Sequence, residues 1–428
     1  MLQYILYLDS TTHTESKGSM WLDLGPLKRH RDYRLLFLGQ FVSALGTMTS
    51  YVAVPYQIYE ITKSPLLVGV LGIVQLIPVL IFSLLGGVLA DAFNRKTLLW
   101  LSEALMALGA LGLALNACLA KPHVSLIFVL AFVVQAASSV HRPALEALRQ
   151  SLVEPSEYPA IGALSAFQSS FTSIAGPALG GWMMAISGAV SVYLFDALTY
   201  LIVLFCVLNM HIKEHRESRS SVSLASIKDG LLFAWQRPVL MGTYIVDIVA
   251  MTFAFPVALF PVMAKDWGGA NAAGVLYSAM SVGSLLVSLL SGRLTHFTRR
   301  GVAVVLGAAL WGLAVIALGF APGLWWAFGL LALAGAADMV SALFRGVIWN
   351  EMIPNEMRGR LAGVEMISFL SGPLLGNLRA GLMAEQFGTS ISIWLGGIVC
   401  TVGVLICGLL LPAFWQYRFQ GLQAPSEI

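Results

Sequence analysis

The chain has 428 residues, of which 58% are hydrophobic and 11% charged, with a mean hydropathy of +0.80. A soluble domain carries about a quarter charged residues, so a solvated globular surface is excluded. The net charge of +3 comes without a basic patch interleaved with aromatics, which argues against nucleic acid.

Residues 1–27 read as a tail. They are mostly polar after Leu8 and lack the charged, apolar and cleavage regions of a signal peptide. Met20 is an alternative start. A membrane-spanning helix needs about 20 apolar residues. Apolar runs bounded by charges or Gly/Pro turns predict twelve such helices, over 35–59, 66–90, 97–120, 124–146, 160–185, 190–210, 239–263, 271–292, 302–320, 324–347, 361–384 and 390–411. An even number returns the chain to the side on which it started. Of the 25 Lys and Arg residues, all but Lys63, Lys121, Lys265 and Arg379 fall at the termini or toward even-numbered connections. By the positive-inside rule both termini and the central loop are expected to be cytoplasmic.

The polar stretch that begins His211-Ile212-Lys213 separates six spans from six. The expected organisation is a tail (1–27), a six-helix bundle (28–210), a cytoplasmic linker (211–238), a second six-helix bundle (239–412) and a cytoplasmic tail (413–428). Leu224 to Trp235 has helical spacing, so an amphipathic helix is expected there, along the membrane face. The connections at Ser187-Gly188-Ala189 and Ala321-Pro322-Gly323 are too short for an external domain. The four cysteines, Cys118, Cys206, Cys400 and Cys407, sit in apolar runs without ligand spacing. Buried thiols, not a disulfide framework or a metal site, are expected.

The two halves resemble each other. Ala53-Val54-Pro55 returns as Ala254-Phe255-Pro256, and Gly176-Pro177 as Gly372-Pro373, about 200 residues later in each case. Repeated hydrophobic halves are how secondary transporters build a central site between two moving bundles.

Three motifs carry a resemblance to the major facilitator superfamily. Gly86 to Lys96 reads GGVLADAFNRK, similar to its G-x-x-x-D-x-x-G-R-K loop at Gly87, Asp91, Arg95 and Lys96. Asn94 replaces the usual glycine and tolerates a left-handed turn. Gly176, Pro177, Gly180 and Gly181 are similar to the G-P-x-x-G-G signature of its antiporters, with Ala163 and Thr172 in place of earlier glycines. Arg358-Gly359-Arg360 opens the eleventh span as in the exporter branch that holds the enterobactin exporter and macrolide efflux pumps. AVPYQI from Ala53 and LFPVMAKDW from Leu259 extend that resemblance. It implies an all-α fold of two pseudo-symmetric six-helix bundles, with spans 1, 4, 7 and 10 around a cavity.

Each motif has a structural alternative. Asp91 is placed to accept hydrogen bonds at a neighbouring helix N-terminus. The resemblance makes the eleventh span, from near Gly359, its partner in a cytoplasmic gate; the alternative is a positive-inside turn without a gating role. The second copy has His296 in place of the aspartate, so an asymmetric gate is expected. Pro177 bends its helix, and Gly180 and Gly181 permit close packing. That suits exchange without proton leak, or only generic helix packing.

Ionisable residues inside spans are costly unless paired or wet. Asp247 and Asp338 stand at similar depth, about 12 and about 13 Å from the cytoplasmic ends of their helices, and both are expected to face the cavity. Such a carboxylate is able to take a proton in exchange for substrate. For Asp338 the alternative is a structural pair with Arg345. Glu365 is a further proton-coupling candidate, with an ion pair to Arg358 or Arg360 as its alternative. Asp196 and Glu103 are expected to be structural. His141-Arg142 is expected either to bind anionic groups or to pair with Glu146. Gln40, Gln57, Gln135, Tyr244 and Met251 are candidate cavity residues, with Ser43, Thr47, Ser50, Ser138, Ser139, Phe41 and Phe253 as weaker ones. They suggest an amphipathic pocket.

The expected function is proton-driven export, by a monomer in a bacterial inner membrane, of a siderophore or similar amphipathic molecule. Multidrug or macrolide efflux, lysophospholipid transport and a non-transporting receptor are the alternatives. No nucleotide loop, metal cluster or nucleophile–base set appears in the sequence, so neither an enzyme nor a bound cofactor is expected, and the proton gradient is the driving force.

Overall fold

The computed structural model describes residues 22–92, 94–211, 232–294 and 297–418; within them only the backbone is described for 83–92, 293–294, 355–356, 358–360 and 362–368. Among the described residues ten helices are long and apolar enough to cross a membrane. The helix Tyr158–Leu208 contains two spans that meet at Gly188. The helix Asn355–Phe387, with its polar start, completes the set. The spanning helices are α1 (Arg31–Thr62), α2 (Pro65–Ala92), α3 (Arg95–Ala117), α4 (Val124–Ser151), α5 and α6 (158–187 and 189–208). They continue as α7 (Pro238–Ala254), α8 (Ala270–Leu294), α9 (Arg300–Leu318), α10 (Leu324–Met352), α11 (Asn355–Phe387) and α12 (Thr389–Leu410). The predicted count of twelve holds.

Local chemistry sets several boundaries. Gly188 adopts φ +73° and ψ −179°, a region open essentially only to glycine, and there the chain reverses. Phe41 of α1 packs on Phe167 and Phe171 of α5, and Thr49 lies against Gly180, whereas Gly39 and Gly46 meet Cys206 and Thr199 of α6. One leg thus runs with α1 and the other against it. The Asn116 side chain both accepts from the N–H of His123 (3.0 Å) and donates to its carbonyl (3.2 Å), clamping the α3–α4 turn.

Asn94 departs from expectation. Its backbone is extended (φ −60°, ψ 121°), and its side chain accepts from the N–H of Thr97 at 2.9 Å. It is the N-cap of α3, the role short polar side chains favour most, and not a left-handed turn residue. Of the cysteines, Cys400 and Cys407 are buried, Cys206 is half-buried and Cys118 is exposed at the end of α3, against the expectation of burial.

In the first half α1 packs against α5 and α6, α3 against α4, and α2 against α4; in the second, α10 lies against α8 and α9, and α7 against α11 and α12. The outer faces carry large exposed apolar side chains, such as Leu115, Leu289, Trp325 and Leu409. Outward-facing leucine and tryptophan on spanning helices suit contact with lipid. Of the predicted linker helix, 224–231 lie outside the described residues, and Leu232 to Trp235 are helical.

Candidate functional site

The two ends of the molecule differ. The terminal end carries residues 22–30 and 412–418; the far end carries the α1–α2 and α7–α8 connections. At the far end the halves touch through glycines. A β-carbon on Gly181 of α5 would lie 2.6 Å from the carbonyl oxygen of Ala270 and 2.7 Å from the Cα of Gly274 of α8. On the other side of the molecule a β-carbon on Gly381 of α11 would lie 2.6 Å from the carbonyl of Pro65 and 2.9 Å from the Cα of Gly69 of α2. Glu385 accepts from the Ser64 hydroxyl at 2.9 Å and from the Leu66 N–H at 3.3 Å, and Tyr51 stacks edge-on to Tyr277 at 5.3 Å. Close helix packing of this kind requires glycine, because any side chain would meet backbone.

Beneath that contact lies a cavity of about 970 Å³, running from Val68 and Val257 near the far end to Gln150 and Ile161 near the terminal end. Its walls are unequal. The first half contributes Gln40, Ser43, Thr47 and Ser50 from α1, Gln135, Ser138, His141, Arg142, Glu146 and Arg149 from α4, and Asp196 and Tyr200 from α6. The second half contributes mainly Val257, Ala258, Tyr277, Phe369, Leu370 and Asn377. Several of the hydroxyls are tied to their own helices, as Thr47 to the carbonyl of Ser43 and Thr172 to that of Gln168. Serine and threonine in helices do this commonly.

Of the sequence candidates, Gln40 and Gln135 line this cavity. The other three do not. Gln57 is buried and accepts from the Tyr193 hydroxyl at 2.7 Å. Tyr244 stacks on Trp349 at 5.5 Å, and Met251 is buried in the core of the second half. Phe41 packs on α5, and Phe253 belongs to the second-half core. Helical periodicity places a polar residue on some face of its helix, but only the packed neighbours decide which face meets the cavity.

Asp247 and Asp338 meet, although not in the cavity. The Arg345 guanidinium lies 2.9 Å from Asp247 and 3.6 Å from Asp338. The side chains of Asp247 and Arg345 are 7% and 6% exposed, and that of Asp338 32%. Both carboxylates reach one guanidinium, in keeping with the similar depth expected of them, whereas neither lines the cavity. The pairing of Asp338 with Arg345 is present too, widened to a three-membered cluster that joins α7 to α10.

A second polar cluster sits behind the cavity wall. Glu103 of α3 is fully buried and accepts from Gln40 (2.7 Å) and His141 (2.8 Å). Asp196 accepts from the Ser50 hydroxyl at 2.5 Å and lines the cavity, which its expected scaffold role did not include. Glu146 pairs with Arg149 at 2.9 Å, not with Arg142. The signal for Glu103 and Asp196 is isolation: each is the one charged residue of its apolar run and demands a partner.

In the gate-like loop, the side chains of Gly87 and Asp91 lie outside the described residues, as do those of Arg358, Arg360, Glu365 and His296. Arg95 opens α3. Lys96 donates to the carbonyls of Met210 (2.7 Å) and Leu208 (3.4 Å) at the end of α6, where a cation suits the helix dipole. In the second motif Pro177 lies within the long helix, and Gly176 and Gly180 press against Met48 and Thr49 of α1 while Gly181 meets α8. Among the described residues no group of His, Cys, Asp and Glu is arranged to hold a metal ion.

Comparison with known proteins agrees with this architecture. The chain is 29% identical over 400 residues to the enterobactin exporter EntS of Shigella boydii serotype 4, covering 92% of this chain and 94% of that one, and matches EntS of Escherichia coli O1:K1 equally. In fold it is similar to a bacterial homologue of the human lysosomal transporter Spinster in an inward-facing, unoccupied conformation (13% identity, TM-score 0.73, 96% of this chain and 100% of that one). It is similar also to a bacterial homologue of the iron transporter ferroportin in an inward-facing state (14%, TM-score 0.69, 91% and 99%). Residues 23–417 match the model of the transmembrane secretion effector family. The chain belongs to that family, a group of multi-pass secondary transporters, not enzymes, within the major facilitator superfamily.

Proposed function

We propose that this protein exports an amphipathic small molecule across a bacterial inner membrane in exchange for protons, with a siderophore as the leading substrate class. The observation that carries the coupling is the Asp247–Arg345–Asp338 cluster. It puts two carboxylates, one buried and one half-buried, within 3.6 Å of a single buried guanidinium. One proton makes this group electrically neutral, and loss of that proton leaves a net negative charge in a medium of low dielectric, where charge is expensive. Because the cluster ties α7 to α10, proton binding changes the tie between two helices of the second bundle. The cavity supplies the other half of the cycle: it is large, two-faced, and closed where the glycines meet. With the termini cytoplasmic, as the Lys and Arg distribution implies, it is the cytoplasmic side from which substrate enters. The relatives named for enterobactin export support the siderophore class.

The test uses everted membrane vesicles, with enterobactin and rhodamine 6G as separate probes. An acid interior should drive uptake of one of them, Asp338→Asn should abolish that dependence, and exchange of labelled for unlabelled probe should persist. Gradient-driven uptake retained in both Asp247→Asn and Asp338→Asn would defeat the coupling role.

A further inference from the structure

We infer that Arg142 is the substrate-recognition residue of the cavity, and that the molecule it recognises is an anionic amphiphile. This rests on the transport reading above and adds the charge of the substrate.

The argument begins with what each cationic group in the wall already holds. His141 is committed to Glu103 at 2.8 Å. Arg149 is buried and pairs with Glu146 at 2.9 Å, with Gln168 at 3.4 Å on the other guanidinium nitrogen. Arg142 lies on the same helix and lines the same cavity. Its side chain is exposed, and no hydrogen bond or ion pair engages it among the described residues. The carboxylate nearest in sequence, Glu146, has been taken by Arg149. The other acid in the wall, Asp196, is held by Ser50, and helical rise places it about 16 Å closer to the far end. An arginine within a spanning helix is costly unless it is wet or paired. A guanidinium offers a planar fork that matches carboxylate, phenolate or phosphate oxygens two at a time.

Farther along the cavity the wall from the second half is mostly apolar, Val257, Ala258, Tyr277, Phe369 and Leu370, with the amide of Asn377 among them. A molecule that satisfies both walls carries an anionic group on one side and an apolar or aromatic body on the other. A hydrophilic anion would leave the apolar wall bare, and a cationic amphiphile would set its charge against Arg142. The chemistry that fits is shared by acidic siderophores and by anionic single-chain lipids.

The experiment measures binding without any gradient, on the full chain in nanodiscs. Two dyes with the same ring system serve as probes: carboxyfluorescein, an anion, and rhodamine 6G, a cation, read by fluorescence anisotropy. Saturable binding of the anion is expected, weakened at least tenfold by Arg142→Gln and less by Arg142→Lys. Displacement of bound dye by enterobactin or by lysophosphatidylglycerol then separates the two sources of the anion. Unchanged anion binding by Arg142→Gln, no saturable anion binding by the parent protein, or saturable binding confined to the cation would each overturn the inference. Should Arg142→Gln fail to fold, the preference of the parent protein for one dye still decides the outcome. Gradient-driven uptake of rhodamine 6G would refute the anionic substrate and leave proton-coupled export standing, so the two readings fail separately.

Discussion

The two halves of this molecule descend from one pattern and handle their polar residues in opposite ways. In the first half, polar side chains face the cavity from α1, α4 and α6, joined in small separate pairs such as Thr47 with Tyr200, Ser50 with Asp196 and Glu146 with Arg149. In the second half, Arg345 is tied to both Asp247 and Asp338 inside the bundle, and the surface turned to the cavity is mostly apolar. A wall of small, separate polar pairs re-forms around a ligand one pair at a time. A closed charge cluster has a small number of states and changes only when a charge is added or removed. The repeated Ala-x-Pro motif diverges in the same sense. Pro55 stays within the continuous helix α1, whereas α7 ends at Ala254 and Phe255 turns extended (ψ 106°) before Pro256. There the N–H of Ala258 donates to the Asn377 side chain at 3.1 Å, joining the break to α11. A residue before proline resists the helical region, and tertiary contact decides whether the helix survives it.

This contrast can be broken at the cluster first. Arg345→Gln leaves the buried carboxylate of Asp247 and the half-buried one of Asp338 without their cation and should cost about 3 to 5 kcal/mol, seen as a large drop in the melting temperature of the detergent-solubilised protein. Adding Asp247→Asn and Asp338→Asn should recover most of it; no recovery would show that Arg345 acts by shape and not by charge.

Next in size is the far-end contact. Gly181→Leu inserts a side chain where Ala270 and Gly274 offer only backbone, an overpacking penalty of about 1 to 3 kcal/mol borne only by the closed arrangement. A cysteine placed at Val68, with the four native cysteines removed, should then be labelled from the far side, and should be protected in the Gly181 parent.

For the first half, Glu103→Leu strips the acceptor from Gln40 and His141 and should destabilise by about 1 to 3 kcal/mol, while Glu103→Gln should cost less. Equal melts for the two variants would mean that the pair contributes no more than packing.

The smallest effect is expected at Lys96. Lys96→Met removes a cation from the end of α6 and should cost about 0.3 to 1 kcal/mol, with gradient-driven transport unchanged. A loss of transport would instead assign this residue to the gate.

Much of this architecture is legible in the amino-acid sequence. The apolar runs specify twelve helices because a bilayer demands about 20 apolar residues per crossing, and each predicted span lies on a helix that begins and ends within a few residues of it, except the seventh, predicted over 239–263, whose helix breaks off at Ala254. The Gly188 turn and the tight packing at Gly181 are legible for the same reason, as local requirements on the backbone. The depth of Asp247 and Asp338 follows from helical rise alone.

The direction of each side chain around its helix is not legible. Gln57, Tyr244 and Met251 turn inward to helix neighbours, and Gln40 and Gln135 to the cavity, because packing of a particular helix pair selects the face. Nor is the division of partners: Glu146 stands within reach of two arginines on one helix, and tertiary packing assigns it to Arg149. The sequence determined how many helices cross, where they turn and which costly charges lie at membrane depth, because these depend on hydration and backbone geometry residue by residue. Which charges meet, and which side chains face the cavity, was decided only when helices distant in the chain came together.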